Sequence, residues 1–353
     1  MVRAGRLSSG ACQGPGYPVS VNAPVRTDLL EANQAGIRRA ADIIRAGGLV
    51  AFPTETVYGL GANALSAPAV LRIFEAKDRP RGNPLIVHLA EAAQLATVAA
   101  AVTSRAADIA ARFWPGPLTL VLPRAAAVPL VTTGGLDTVA VRVPDHAVAR
   151  ALIEAAGVPI AAPSANRSGR PSPTRAAHVR DDLDGRIEMI LDGGPTPVGI
   201  ESTVLDMTGE SPLLLRPGGI PLEALRQALG PVRVVAGEDH EAAGRSPGLR
   251  YRHYAPRAEV VLVDPGSGET AVQPWLEAGR PVALVAQRRI ALERARLTVR
   301  VMPTDLEAYA RDLFALLREL DSVGVEVIVV EAVPETGLGR TIMDRLRRAA
   351  ATS

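Results

Sequence analysis

Apolar positions recur along this chain in two rhythms. Residues 34–47 set Ile37, Ala40, Ala41 and Ile44 on one face, the spacing of an amphipathic helix, and Gly47-Gly48 closes it. The continuous apolar run Leu49-Val50-Ala51-Phe52-Pro53 then predicts a short buried strand. A helix is predicted over 67–77, followed by a Pro- and Gly-bearing loop, Asp78 to Pro84, and an apolar strand over 85–89. Further helices are expected at 91–112 and 145–156. Strands are expected at 118–122, 139–143, 160–162, 189–192, 202–206 and 213–216. Buried strands interleaved with helices predict an α/β domain over 26–235.

Over 236–257 the pattern lapses into polar, Gly- and Pro-bearing sequence, which reads as an interdomain linker. It resumes with strands at 260–263, 282–285, 299–302 and 325–330. A helix over 305–321 carries Leu306, Tyr309, Leu313, Leu316, Leu317 and Leu320 on one face, and Thr304 with Glu307 reads as its capping box. This β-α-β alternation predicts a smaller, Rossmann-like α/β domain over 258–353. It lacks a Gly-x-Gly-x-x-Gly turn, so no dinucleotide is assigned to it. Residues 1–25 are Gly-, Ser- and Pro-rich without an apolar core and read as a disordered tail rather than a signal peptide.

Composition narrows the function. The 353 residues fit two domains of roughly 100–200 residues each. With 39 basic and 37 acidic residues and 3% aromatics, neither an electrostatic footprint nor stacking platforms for strong direct nucleic-acid binding are present. The single cysteine, Cys12, excludes disulfide frameworks and thiolate metal sites. No pair among His88, His146, His178, His240 and His253 has helical metal-ligand spacing. No apolar run approaches the about 18 residues a membrane span needs, so a cytoplasmic location is expected.

Lysine occurs once, at Lys77, among the 39 basic residues. In so arginine-biased a chain, a surviving lysine points to a position that needs a compact ammonium rather than a planar fork. It opens the stretch Lys77-Asp78-Arg79-Pro80-Arg81-Gly82-Asn83-Pro84, a rigid cationic loop suited to an anion, although a basic surface loop would look the same. Ala161-Ala162-Pro163-Ser164-Ala165-Asn166 follows an apolar strand with small polar side chains, a frequent ligand-binding arrangement at strand carboxyl ends. The hydroxyls of Pro53-Thr54-Glu55-Thr56-Val57-Tyr58-Gly59-Leu60 read as strand-edge and turn chemistry. Thr138 and Arg142 share one face of an apolar strand, where an arginine needs an anion, either a structural carboxylate or a substrate's.

In order and wording these segments resemble the threonylcarbamoyl-AMP synthase family, the YrdC-like enzymes. The resemblance rests on Pro53–Leu60, Lys77-x-Arg79, Asn83-Pro84-Leu85, Ser164-x-Asn166, Glu201-Ser202-Thr203-Val204 and Arg216-Pro217-Gly218. It continues through Ser246–Pro256, which together with the added C-terminal domain marks the family's long form. Gly337–Leu346 resembles that form's closing helix, except that Thr341 and Asp344 stand where Ala and Asn are expected.

The resemblance implies a YrdC-like twisted mixed sheet and a reaction joining L-threonine, bicarbonate and ATP to give threonylcarbamoyl-AMP and pyrophosphate. It implies that Thr56, His88, Arg142, Ala162 and Ser202 hold threonine. It implies that Arg79, Asn83, Thr138, Ser164, Ser172, Arg216 and Tyr254 hold ATP, with Lys77, Arg79, Ser164 and Asn166 as the signature quartet. Mg²⁺ is expected to arrive with ATP rather than at a dedicated protein site. The product is expected to pass to the tRNA threonylcarbamoyl transferase machinery. Residues 246–256 are expected to fold over the nucleotide as a lid, with Tyr254 near the phosphates. A carbamoyltransferase of the hydrogenase-maturation type and an RNA-binding module are the competing readings. The single cysteine and the length weigh against the first, and the balanced charge and scarce aromatics against the second.

Overall fold

A computed structural model describes residues 25–235, 244–246 and 254–351. The expected tail through residue 24 and the expected lid residues 247–253 lie outside the described residues. Two separate sheets organise the chain. The first contains β1 (Asp28–Glu31), β2 (Val50–Phe52), β3 (Gly59–Asn63), β4 (Ile86–His88), β5 (Leu118–Pro123), β6 (Thr138–Arg142), β7 (Ile160–Ala161), β8 (Met189–Asp192), β9 (Thr203–Asp206), β10 (Leu213–Arg216) and β11 (Arg233–Val234). Their order is β1-β8-β2-β3-β7-β4-β6-β5-β9-β10-β11, with parallel and antiparallel neighbours mixed. The alternation of apolar runs predicts an α/β domain, and the mixed sheet is the one that the family resemblance implies.

Local chemistry explains the elements that frame the site. The helix Gln34–Arg45 begins at Asn33, whose side chain accepts from Gly36 N at 2.9 Å, and buries Ala40, Ala41 and Ile44 against Ala149, Leu152 and Ile153. The helix Ala67–Lys77 is capped by Ser66 and stops at Asp78, which adopts φ 52°. That left-handed residue turns the chain so that Arg79 N closes on Phe74 O and the Arg79 side chain runs inward.

The structure departs from expectation in several places. The segment 91–112 is not one helix but a 3-10 helix, Ala92–Thr97, followed by the helix Ser104–Phe113, because Thr103 caps a new start by accepting from Ala106 N at 3.2 Å. Gly59–Asn63, for which no strand is predicted, is an interior strand whose four leading residues are buried. The helix over 306–322 starts from Asp305, which accepts from Ala308 N at 2.8 Å, rather than from a Thr304–Glu307 box. An aspartate is as good a cap as threonine and lies one residue nearer the first turn.

The second sheet is parallel throughout, in the order β12 (Glu259–Val263), β15 (Val327–Glu331), β13 (Val282–Ala286), β14 (Leu297–Val301). After β12, Gly268 N donates to the Glu331 carboxylate at 3.1 Å, so an internal acid fills that Gly-rich turn.

The second domain docks against the first through shared apolar packing. Val57 and Ile200 belong to the same cluster as Tyr309, Leu313 and Phe314. Gly199, at φ 75°, lies so close to the Arg311 backbone that a Cβ there would fall 2.3 Å from it. Arg318 crosses the junction to Asp182 Oδ2 at 2.7 Å and Pro171 O at 2.6 Å. Among the described residues no helix is long and apolar enough to cross a membrane.

Candidate active site

One concave cavity lies at the strand ends of the large sheet. Arg142, His88, Thr56, Ala162 and Ser202 all line it. Register explains the first two: β4 pairs with β6 in parallel, and His88 falls directly opposite Arg142. Beyond β2, Thr54 Oγ1 accepts from Val57 N at 3.3 Å and lies 2.8 Å from Thr56 Oγ1, a hydroxyl-closed turn. The turn aims Thr56 Oγ1 at Arg142 Nη1, which donates to it at 2.9 Å.

Arg142 is 3% exposed, and its orientation is fixed from several sides. Its Nε donates to Gly116 O at 3.1 Å. Its Nη2 lies 2.5 Å from Glu55 Oε2, a close ion pair whose angles fall short of a hydrogen bond. The structural carboxylate that an arginine in an apolar strand requires is therefore Glu55, and the guanidinium it holds borders the cavity. A planar fork at this place can take up a second carboxylate, that of an amino acid.

Arg79, Ser164 and Arg216 also line the cavity. Arg79 Nη2 donates to Pro84 O at 3.2 Å. Arg216 Nη2 donates to Ser202 O at 2.8 Å and to Ser202 Oγ at 3.2 Å, and Ser202 Oγ lies 2.8 Å from Thr119 Oγ1. Two guanidiniums in a desolvated wall suit a polyanion such as a triphosphate.

Lys77 and Asn166 do not line the cavity; they build the loop that presents Ser164. Lys77 Nζ, 1% exposed, donates to Ser164 O at 2.5 Å and to Asn166 O. Burial first, and the Arg79 charge next, push its pKa well below the usual lysine value. Asn166 Oδ1 accepts from Ser164 Oγ at 2.5 Å, and its Nδ2 donates to Arg170 O at 2.9 Å. Asn83, Thr138 and Ser172 also lie outside the cavity wall. Asn83 is buried in the 78–84 loop, Thr138 opens β6, and Ser172 Oγ donates to Glu201 Oε1 at 2.5 Å.

Tyr254 reaches the cavity, stacked on Phe314 with ring centroids 5.3 Å apart. Glu55 and Glu201 carried no predicted role, and Arg345 lay only within the segment that resembles the closing helix. The one available signal for Arg345 was an arginine on the apolar face of an amphipathic helix.

Burial, with the Arg142 charge beside it, lowers the His88 pKa to about 3, and burial lowers that of His178 to about 4. Between those values and the ordinary about 6.5, the unfolded chain binds protons that the folded one does not, so stability falls as pH drops through that window. Guanidinium unfolding midpoints should therefore decline from pH 6.5 toward pH 4.5, and His88→Asn should flatten the decline. An equally steep slope in that variant would contradict the assignment.

Residues 42–218 match the family described as "Telomere recombination", and residues 220–351 match "Threonylcarbamoyl-AMP synthase, C-terminal domain". The chain is 51% identical over 322 residues to a threonylcarbamoyl-AMP synthase of Pyrococcus abyssi, covering 89% of this chain and 93% of that protein. It is 46% identical over 331 residues to the Bacillus subtilis threonylcarbamoyl-AMP synthase, covering 92% and 95% respectively. The crystal structure of P. abyssi Sua5 complexed with L-threonine matches with a TM-score of 0.85 at 48% identity, over 92% of this chain and 97% of that one. With matches of this extent running through both sheets, the chain belongs to the threonylcarbamoyl-AMP synthase family, in the form that carries a C-terminal domain.

Proposed function

We infer that this chain is an L-threonylcarbamoyladenylate synthase, a nucleotidyltransferase that converts L-threonine, bicarbonate and ATP into threonylcarbamoyl-AMP and pyrophosphate, the first step of tRNA threonylcarbamoyladenosine formation. The observation that supports it best is a single cavity lined by the Glu55-held Arg142 fork together with Arg79 and Arg216. Arg142 takes the threonine carboxylate. Thr56, His88, Ala162 and Ser202 surround the remainder of the amino acid. His88 stays neutral at working pH and so adds no competing charge.

Once the amine has been carboxylated, a carbamate oxygen attacks the α-phosphorus and the bond to the β-phosphate bridge breaks, releasing pyrophosphate. The nucleophile is already an anion, so the chain's task is alignment and charge neutralisation rather than proton removal. Arg79 and Arg216 face the phosphates, and Ser164 lines the same cavity. ATP enters with Mg²⁺ carried by its phosphates. Glu201, the carboxylate of the cavity wall, is taken up by Arg345 and Ser172 and is unsuited to a resident ion. The product is a water-labile acyl-adenylate, and the tRNA threonylcarbamoyl transferase machinery of the cytoplasm consumes it.

Pyrophosphate release with each substrate omitted in turn tests the reading. Release is expected only when ATP, bicarbonate and L-threonine are all present. Equal turnover without threonine would reject it.

A further inference from the structure

Arg345 sits on the closing helix Leu338–Ala350 of the second domain and is 1% exposed. An arginine buried there is costly unless its charge and donors are met. They are met in the first domain: Nε donates to Glu201 Oε2 at 2.8 Å and Nη2 to Pro217 O at 2.9 Å. Asp344 pairs with Nη1, and the guanidinium carbon lies 5.0 Å from the Tyr254 ring centre. One turn earlier, Thr341 Oγ1 donates to Gly218 O at 3.0 Å. The Gly218 backbone is itself pressed on Ser202 and Thr203, where a Cβ would fall 2.2 Å away. The helix therefore grips the corner that carries Ser202 and Arg216.

Glu201, Arg216 and Tyr254 all line the cavity. Burial alone would raise the Glu201 carboxyl, but the Arg345 and Arg216 charges and the Ser172 hydroxyl outweigh it and hold the group ionised. An ionised carboxylate in a wall that receives a triphosphate repels it and cancels the Arg216 charge. On the ATP reading above, we propose that Arg345 is a positioning residue of the nucleotide site: supplied by the second domain, it neutralises Glu201 and so lets the Arg216 wall act as a cation toward the phosphates. The contribution of the second domain to the reaction is then electrostatic.

The test separates this role from simple domain adhesion. Arg345→Gln should raise KM for ATP by about tenfold or more, the scale of close charge pairs, while KM for threonine stays near the parent value. Adding Glu201→Gln to that variant should bring KM for ATP back toward the parent, since the uncompensated carboxylate is gone. Arg345→Lys keeps the charge and loses the fork, so its KM for ATP should stay near the parent's. It also serves as the reading should the glutamine variant fail to fold. Equal rises in both KM values, no recovery in the double variant, or a lysine variant as impaired for ATP as the glutamine one would overturn the proposal. A parent protein whose turnover ignores ATP would instead overturn the function on which it rests.

Discussion

Lys77→Arg should lower kcat/KM by on the order of 10²–10³, the usual cost of disturbing groups that organise a charged transition state. The expectation stems from the single lysine in the chain, and the structure supplies its reason. The Lys77 ammonium is enclosed and donates to two backbone carbonyls, Ser164 O and Asn166 O. Those bonds fold the loop that holds Ser164 in the cavity. A guanidinium is wider, planar and less able to converge on two carbonyls of one tight loop, and it retains its charge where burial already opposes it. The substitution therefore displaces Ser164 and brings a second permanent cation close to Arg79. Steady-state kinetics on a variant whose circular dichroism matches the parent gives the answer. Activity close to the parent's would mean that the sole lysine is an accident of composition.

The second large effect is expected at Arg142. Arg142→Gln removes the partner proposed for the threonine carboxylate and strands Glu55 as a buried, uncompensated charge. Breaking one side of a buried pair costs about 3–5 kcal/mol, so the unfolding midpoint should drop as KM for threonine climbs. The two losses are separable. Glu55→Gln/Arg142→Gln relieves the stranded carboxylate and should recover most of the stability, yet it leaves threonine without its fork and should remain inactive. A double variant that regains threonine affinity, or an Arg142→Gln enzyme with the parent's KM for threonine, would show that the carboxylate binds elsewhere.

Apolar spacing along the chain was enough to show which segments are buried and in what local form. The helix over 67–77, the strands near 118–122, 189–192 and 213–216, and the parallel alternation of the second domain follow from apolar spacing and capping residues, which act within a few positions of one another. The sequence also showed that Lys77 and Arg142 were chemically out of place unless something met them, because an isolated cation in an apolar setting is costly whatever the fold. Their partners come from distant parts of the folded chain. Lys77 finds carbonyls 87 and 89 residues along the chain, and Arg345 finds Glu201 at a separation of 144. His88 and Arg142 become neighbours only because β4 and β6 pair side by side although β5 lies between them in the chain. Local periodicity records that a side chain is buried, but the identity of its partner depends on strand order and domain docking. Those follow from packing the whole apolar surface at once, so Glu55, Glu201 and Arg345 gained roles only when the chain was folded.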